Sequence, residues 1–156
     1  MNTNLLENTT ALKETLIKRS TPDIYRSNAL RYLDLPAFST MRQINKRKQI
    51  IEICKSTGAS IPKSLGINLL HQGVDYSIDL NQIIEKFKNP INHLIEEFFW
   101  FWPLNTQNIK QDQGLNFLSN NDPQKAMITW ESQSLNGDPN GIALHNVTIL
   151  KNICHA

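Results

Sequence analysis

A chain of 156 residues, 40% of them apolar, has enough hydrophobic material to close a core of ordinary domain size, which excludes wholesale disorder. Its 16 basic and 14 acidic residues leave a formal charge of +2. That is a smaller basic excess than phosphate-binding proteins usually carry, so nucleic acid is not the expected partner. Cys54 and Cys154 form neither a disulfide framework nor a metal knuckle, and the start at Met1 lacks the basic and apolar regions of a secretory signal. The longest strongly apolar cluster, Phe98 to Trp102, is too short to cross a bilayer. The expected setting is the cytoplasm, with no membrane contact.

In chain order the apolar spacing is helical throughout, and no strand pattern occurs, so the fold class is all-α. A first helix runs from about Leu5 to Lys18. Thr21-Pro22-Asp23 interrupts it and opens a second, with Ile24, Tyr25, Ala29, Leu30 and Leu33 as its apolar residues. After Pro36, Ser39 or Thr40 can cap a third helix, because a side-chain oxygen there accepts from an orphan backbone N–H. This helix carries Met41, Ile44, Ile51 and Cys54 and stops at Gly58. Residues 56–78 read as a long connector. A fourth helix, capped by Ser77 or Asp79, presents Leu80, Ile83, Ile84 and Phe87, meets Asn89-Pro90, and resumes through Ile91, Leu94, Ile95, Phe98 and Phe99 to Pro103. Beyond a polar linker near 105–112, two shorter helices hold Leu115 and Leu118, then Ala126, Met127 and Trp130. A loop at 136–141 leads to a last helix from Ile142 to Ile153.

Between residues 24 and 100 this order resembles a J-domain. Tyr32-Leu33-Asp34-Leu35-Pro36 is similar to the close of the family's first helix. Ser39-Thr40 matches its cap, Ile44 a core position, and Lys46-Arg47-Lys48 its basic stripe. Ile83 to Pro90 is similar to the third helix and its ending. The resemblance implies a J-domain-like antiparallel pair of long helices and a chaperone-type protein partner of the Hsp70 class. It departs from the family in three places. Arg47 and Lys48 replace the usual Ala-Tyr core pair. His93 and Glu96 stand where Arg and Tyr normally follow the third helix. Ser56, Thr57 and Gly58 occupy the positions of the His-Pro-Asp trigger. The C-terminal part, with Ala126 to Trp130 and Ala143 to Val147, looks like tetratricopeptide-type hairpins. The expected organisation is an N-terminal helix at 1–23, a J-like module at 24–103, and a helical hairpin at 104–156 that could open a helical-repeat array.

The functional reading follows from the charges and from absent chemistry. Arg42, Lys46, Arg47, Lys48 and Lys55 all fall on the third helix and are the candidate partner-binding residues, with a solvated face as the bland alternative. The four histidines share no metal spacing. There is no phosphate-binding glycine loop, nucleophile elbow or metalloprotease motif, so catalytic residues, metal and cofactors are all expected to be none. The expected function is a non-catalytic protein–protein adaptor or co-chaperone-like scaffold. The alternatives are a small helical nucleic-acid-binding domain and a structural N-terminal cap on a longer repeat protein. Five consecutive aromatics at 98–102 cannot all face one core from one helix, so some must pack on another element or on a partner. In the last helix Leu144, Val147, Thr148 and Leu150 are expected to form an uncovered face, implying a longer natural chain and weak homodimers at high concentration.

Overall fold

Six of the described helices begin at a short polar side chain that satisfies orphan backbone N–H groups. The computed structural model describes residues 10, 13–21, 23–67, 69, 79–106 and 108–155. Among them every regular element is helical and there is no strand. A first helix, α1, covers residues 13–19; the expected start at Leu5 lies outside the described residues. Next come α2 (Asp23–Arg26), α3 (Ala29–Leu33), α4 (Met41–Thr57), α5 (Leu80–Lys88) and α6 (Pro90–Phe98). A 3-10 turn at Ile109–Gln111 precedes α7 (Gln113–Ser119), α8 (Pro123–Asn136) and α9 (Ile142–His155).

The caps explain where the expected helices divide. Residues 23–33 make two helices rather than one, because the Asn28 side chain accepts from the N–H groups of Leu30 and Arg31 and starts α3 afresh. Thr40 and Gln43 form a reciprocal capping box on α4, and Gly58 ends it at φ 69°. Asn89 is extended, at φ −91° and ψ 119°, and so closes α5 while its side chain caps α6. The second member of the expected long pair is therefore two nine-residue helices. Helix α4 packs on α3 and α5, and α6 packs on α3 and α5. In the C-terminal half, α8 lies between α7 and α9. Asp112 caps α7 through Leu115 N–H and also accepts from Leu104 N–H, which closes the 104–112 loop.

The aromatic run is not a helix. Helix α6 ends at Phe98, and residues 99–103 pass as a strap between the two halves of the chain. Once the helical period is gone, neighbouring side chains point to different elements. Phe99 meets Tyr25 edge-on, the Trp100 indole N–H donates to the Leu35 carbonyl, and Phe101 stacks on Trp130 at 5.7 Å. Asn146 of α9, fully buried, accepts from Trp102 N–H and donates to Trp102 C=O, both at 2.8 Å. Residues on both sides of the expected boundary at 103/104 share one core running from Tyr25 to Ile153.

The last helix corrects an expectation. Its buried residues are Ala143, Asn146, Val147, Ile149, Leu150 and Ile153, packed on α8 and the strap, while Leu144 and Thr148 are exposed. Val147 and Leu150 are thus already covered. Leu144 and Thr148 fall outside the buried face because Asn146, a polar residue, occupies a core position through its backbone pairing.

Trp130 is fully buried, and Gly114 of α7 lies against its indole: a Cβ there would stand 2.2 Å from Trp130 Cε2 and Nε1. Gly114→Ala is expected to destabilise the fold by about 1–3 kcal/mol, the usual range for overpacking a core. Urea denaturation monitored by tryptophan fluorescence measures it, and an unchanged midpoint would show that α7 can move away from α8.

Candidate docking surface

The five basic residues on α4 do not share a face. Arg42 and Lys46 are exposed and lie about 40° apart around the axis, roughly opposite the buried Ile44 and Ile51. Exposed Ile53 continues that outer face. Lys48 is half-buried on the flank and pairs with Glu52 at 3.2 Å. Lys55 is exposed in the last turn.

Arg47 belongs to the interior, with only 5% of its surface exposed. Its Nε donates to the Leu33 carbonyl and its Nη1 to the Pro62 carbonyl, each at 2.7 Å, and its Nη2 lies 3.5 Å from Asp34 Oδ2. Asp34 sits in the left-handed region at φ 54° and accepts from the N–H groups of Ser64 and Gly66. This cluster pins the segment after α4 against the end of α3. Arg47 therefore stands in place of an apolar core residue, because the fork of a guanidinium satisfies several carbonyls that no aliphatic side chain could.

A second exposed feature was not anticipated from the sequence. Helix α6 carries Ile91, Leu94 and Phe98 at i, i+3 and i+7, yet they are 54%, 45% and 40% exposed. The stripe is rotated roughly a third of a turn from the buried face, which holds Ile95 and Glu96. Fully burying one such side chain contributes about 1.5–3 kcal/mol, so a row of them left in water is unusual for a helix that also buries a carboxylate. The reason is Glu96 itself. Its Oε2 accepts from Ala29 N–H at 2.6 Å, capping α3, and its Oε1 pairs with Lys86 Nζ at 3.1 Å. Asn28 Nδ2 answers by donating to the Glu96 carbonyl at 2.8 Å.

Ring contacts carry the stripe onward. Phe98 meets His145 at 5.8 Å, His145 stacks on half-buried Trp102 at 3.8 Å, and Trp102 packs against Phe38 at 5.4 Å. Phe38 is 43% exposed and held at φ 62°, a conformation that costs a bulky residue free energy. Its N–H donates to Glu97 Oε1 at 3.1 Å, and the Trp102 indole N–H donates to the Glu97 carbonyl. His145 Nε2 faces the Trp100 carbonyl at 3.0 Å, and since a carbonyl only accepts, Nε2 must carry the proton. Burial holds the His145 pKa below its ordinary value of 6.5, and the hydrogen bond to Trp100 opposes this in part.

For chemistry, the described residues contain no group of three or more metal-ligating side chains. A cleft of about 310 Å³ opens between residues 18–27 and α6, but its buried Glu96 is already paired with Lys86. His71 and the side chain of His155 lie outside the described residues. No described helix is long and apolar enough to cross a membrane. No family model matches the chain, and no curated protein or solved structure matches it.

Two outcomes follow. Arg47→Ala is expected to cost about 2–3 kcal/mol, since it strips charged hydrogen bonds from buried carbonyls, whereas Arg42→Ala and Lys46→Ala should stay within about 0.5 kcal/mol. Equilibrium urea melts of the three variants compare them directly. The His145 shift also has a definite sign: the unfolded chain takes up the proton first as pH falls below about 6.5. Stability should be full above that pH, decline as pH falls towards the lower folded pKa, and lose that component of the decline in His145→Phe. Thermal melts between pH 5 and 7.5 test it.

Proposed function

We propose that this chain is a non-catalytic protein-docking module, an adaptor or scaffold of the cytoplasm, with the outer face of α4 as its docking face. The observation that carries the reading is the solvent-facing set of Arg42, Lys46 and Ile53, for which no ion pair is found among the described residues. The J-like part of the reading rests on the resemblance over residues 24 to 100, in which the helix corresponding to α4 faces the partner. At the end of that helix, Ser56 and Thr57 turn their hydroxyls back onto the Ile53 carbonyl and Gly58 forms the cap. The trigger positions are occupied by the helix's own last turn, which favours docking without Hsp70 stimulation.

A nucleic-acid role is the weaker reading. With Arg47 buried and Lys48 paired to Glu52, the basic stripe shrinks to Arg42, Lys46 and the distant Lys55. Few phosphate contacts are left to supply affinity.

In a single-turnover assay the chain should leave the ATPase rate of a typical Hsp70 unchanged. A several-fold stimulation that disappears in Arg42→Glu/Lys46→Glu would overturn the non-stimulating reading. The same double variant should lose its native-host protein partners in affinity capture, while neither form shifts short duplex DNA at moderate salt. A DNA shift that weakens steeply with salt would favour the nucleic-acid reading instead.

A further inference from the structure

We infer that the exposed stripe of α6 and the aromatic step beside it form the apolar half of the docking surface, and that its occupant is an amphipathic α-helix of a partner protein bearing acidic residues at one end. The inference rests on the docking reading of α4 and extends it, because Arg42 and Lys46 provide the charge that the acidic end would meet.

Shape comes first. Ile91, Leu94 and Phe98 form a ridge roughly 10 Å long, parallel to the axis of α6. Ridges at this spacing seat against the corresponding rows of a second helix. The backbone of α6 is bonded within the helix and offers no sheet edge, so an extended peptide gains nothing from it. At Phe98 the ridge passes to His145, Trp102 and Phe38 through three ring contacts. The far end is a half-exposed aromatic held in a strained backbone conformation, in the position of an interface anchor.

Charge then selects the occupant and its direction. Phe38 precedes α4 by three residues, so the aromatic end of the surface leads along the chain into the first turns of that helix, which carry Met41, Arg42 and Lys46. All three are exposed, and no ion pair of Arg42 or Lys46 is found among the described residues. Glu97 is half-buried, and its Oε1 accepts from the Phe38 N–H and lies 3.3 Å from His93 Nε2. A second copy of the chain fits less well. Three of its carboxylates, Glu52, Glu85 and Glu131, are each held by a lysine of the same chain. An acidic end on a separate helix satisfies Arg42 and Lys46 without breaking those pairs.

The test is selection of a displayed library of random 16-residue peptides on the full chain, followed by titration of the best synthetic peptide. Enriched sequences should place apolar residues at i, i+3 or i+4, and i+7, with Asp or Glu gathered at one end. Leu94→Glu should weaken binding at least tenfold, as expected for loss of an interface anchor. Arg42→Glu/Lys46→Glu should weaken it several-fold and flatten its salt dependence, and both variants should melt with the parent. Binding should also protect Trp102, the one half-exposed tryptophan, from acrylamide quenching. Peptides lacking that spacing, peptides with a basic end, or no enrichment would each overturn the inference. So would dimerisation of the parent that Leu94→Glu abolishes. If the α4 variant loses binding and Leu94→Glu does not, the α4 docking face stands and this extension falls. If neither variant matters, both fall.

Discussion

A buried carboxylate decides which way α6 faces. Glu96 must reach the first N–H of α3, and Asn28, which caps that same helix, reaches back to the Glu96 carbonyl. The two side chains fix α3 and α6 to each other in position and rotation, with Lys86 balancing the charge and also donating to the Ser27 carbonyl. Once Glu96 is inside, Ile91, Leu94 and Phe98 cannot be. A helix whose apolar residues would otherwise have entered the core is held with much of that row in solvent. The exposed surface is a consequence of the polar lock rather than a failure of packing. Desolvation offsets much of the attraction in a buried ion pair of this kind.

The same lock sets where the strap begins. Asn28 also lies within 3.4 Å of the Phe99 carbonyl, and α6 stops there. From that point the backbone is satisfied from outside, by Ala37 N–H on one side and Asn146 on the other. Backbone that leaves a helix inside a protein must find such partners or carry unpaired groups. The price of threading it through the core is met by the large rings at 99–102, which pack towards four different elements. This is how the N-terminal and C-terminal helices come to share one core.

Basic residues on one helix serve different ends according to their angle around its axis. Arg47 closes the carbonyls of Leu33 and Pro62 and pairs with Asp34, whose carboxylate accepts from the N–H groups of Ser64 and Gly66. Arg42, five residues earlier, meets solvent. With Arg47 inside, the outer face of α4 is mixed, with Ile53 two turns along from Lys46. Such a face fits the proposed protein partner better than it fits a polyanion.

Much of the architecture was legible in the sequence because it is local. The all-helical class, the caps at Thr40 and Asp79, the interruption at Asn89-Pro90 and the stop at Gly58 depend on residues within a turn of one another. The division at Asn28 was missed although it is also a cap, because Tyr25, Ala29 and Leu33 keep a helical spacing across it. What the sequence could not decide is which polar residues go inside. Glu96, Arg47 and Asn146 are core residues only because backbone groups 14 to 67 residues away need partners at those places. Each of them rotates or offsets the face that apolar periodicity assigns to its helix. Hydrophobic spacing measures how much of a helix is apolar and along which line, but the direction of that line in the fold is set by hydrogen bonds between distant segments.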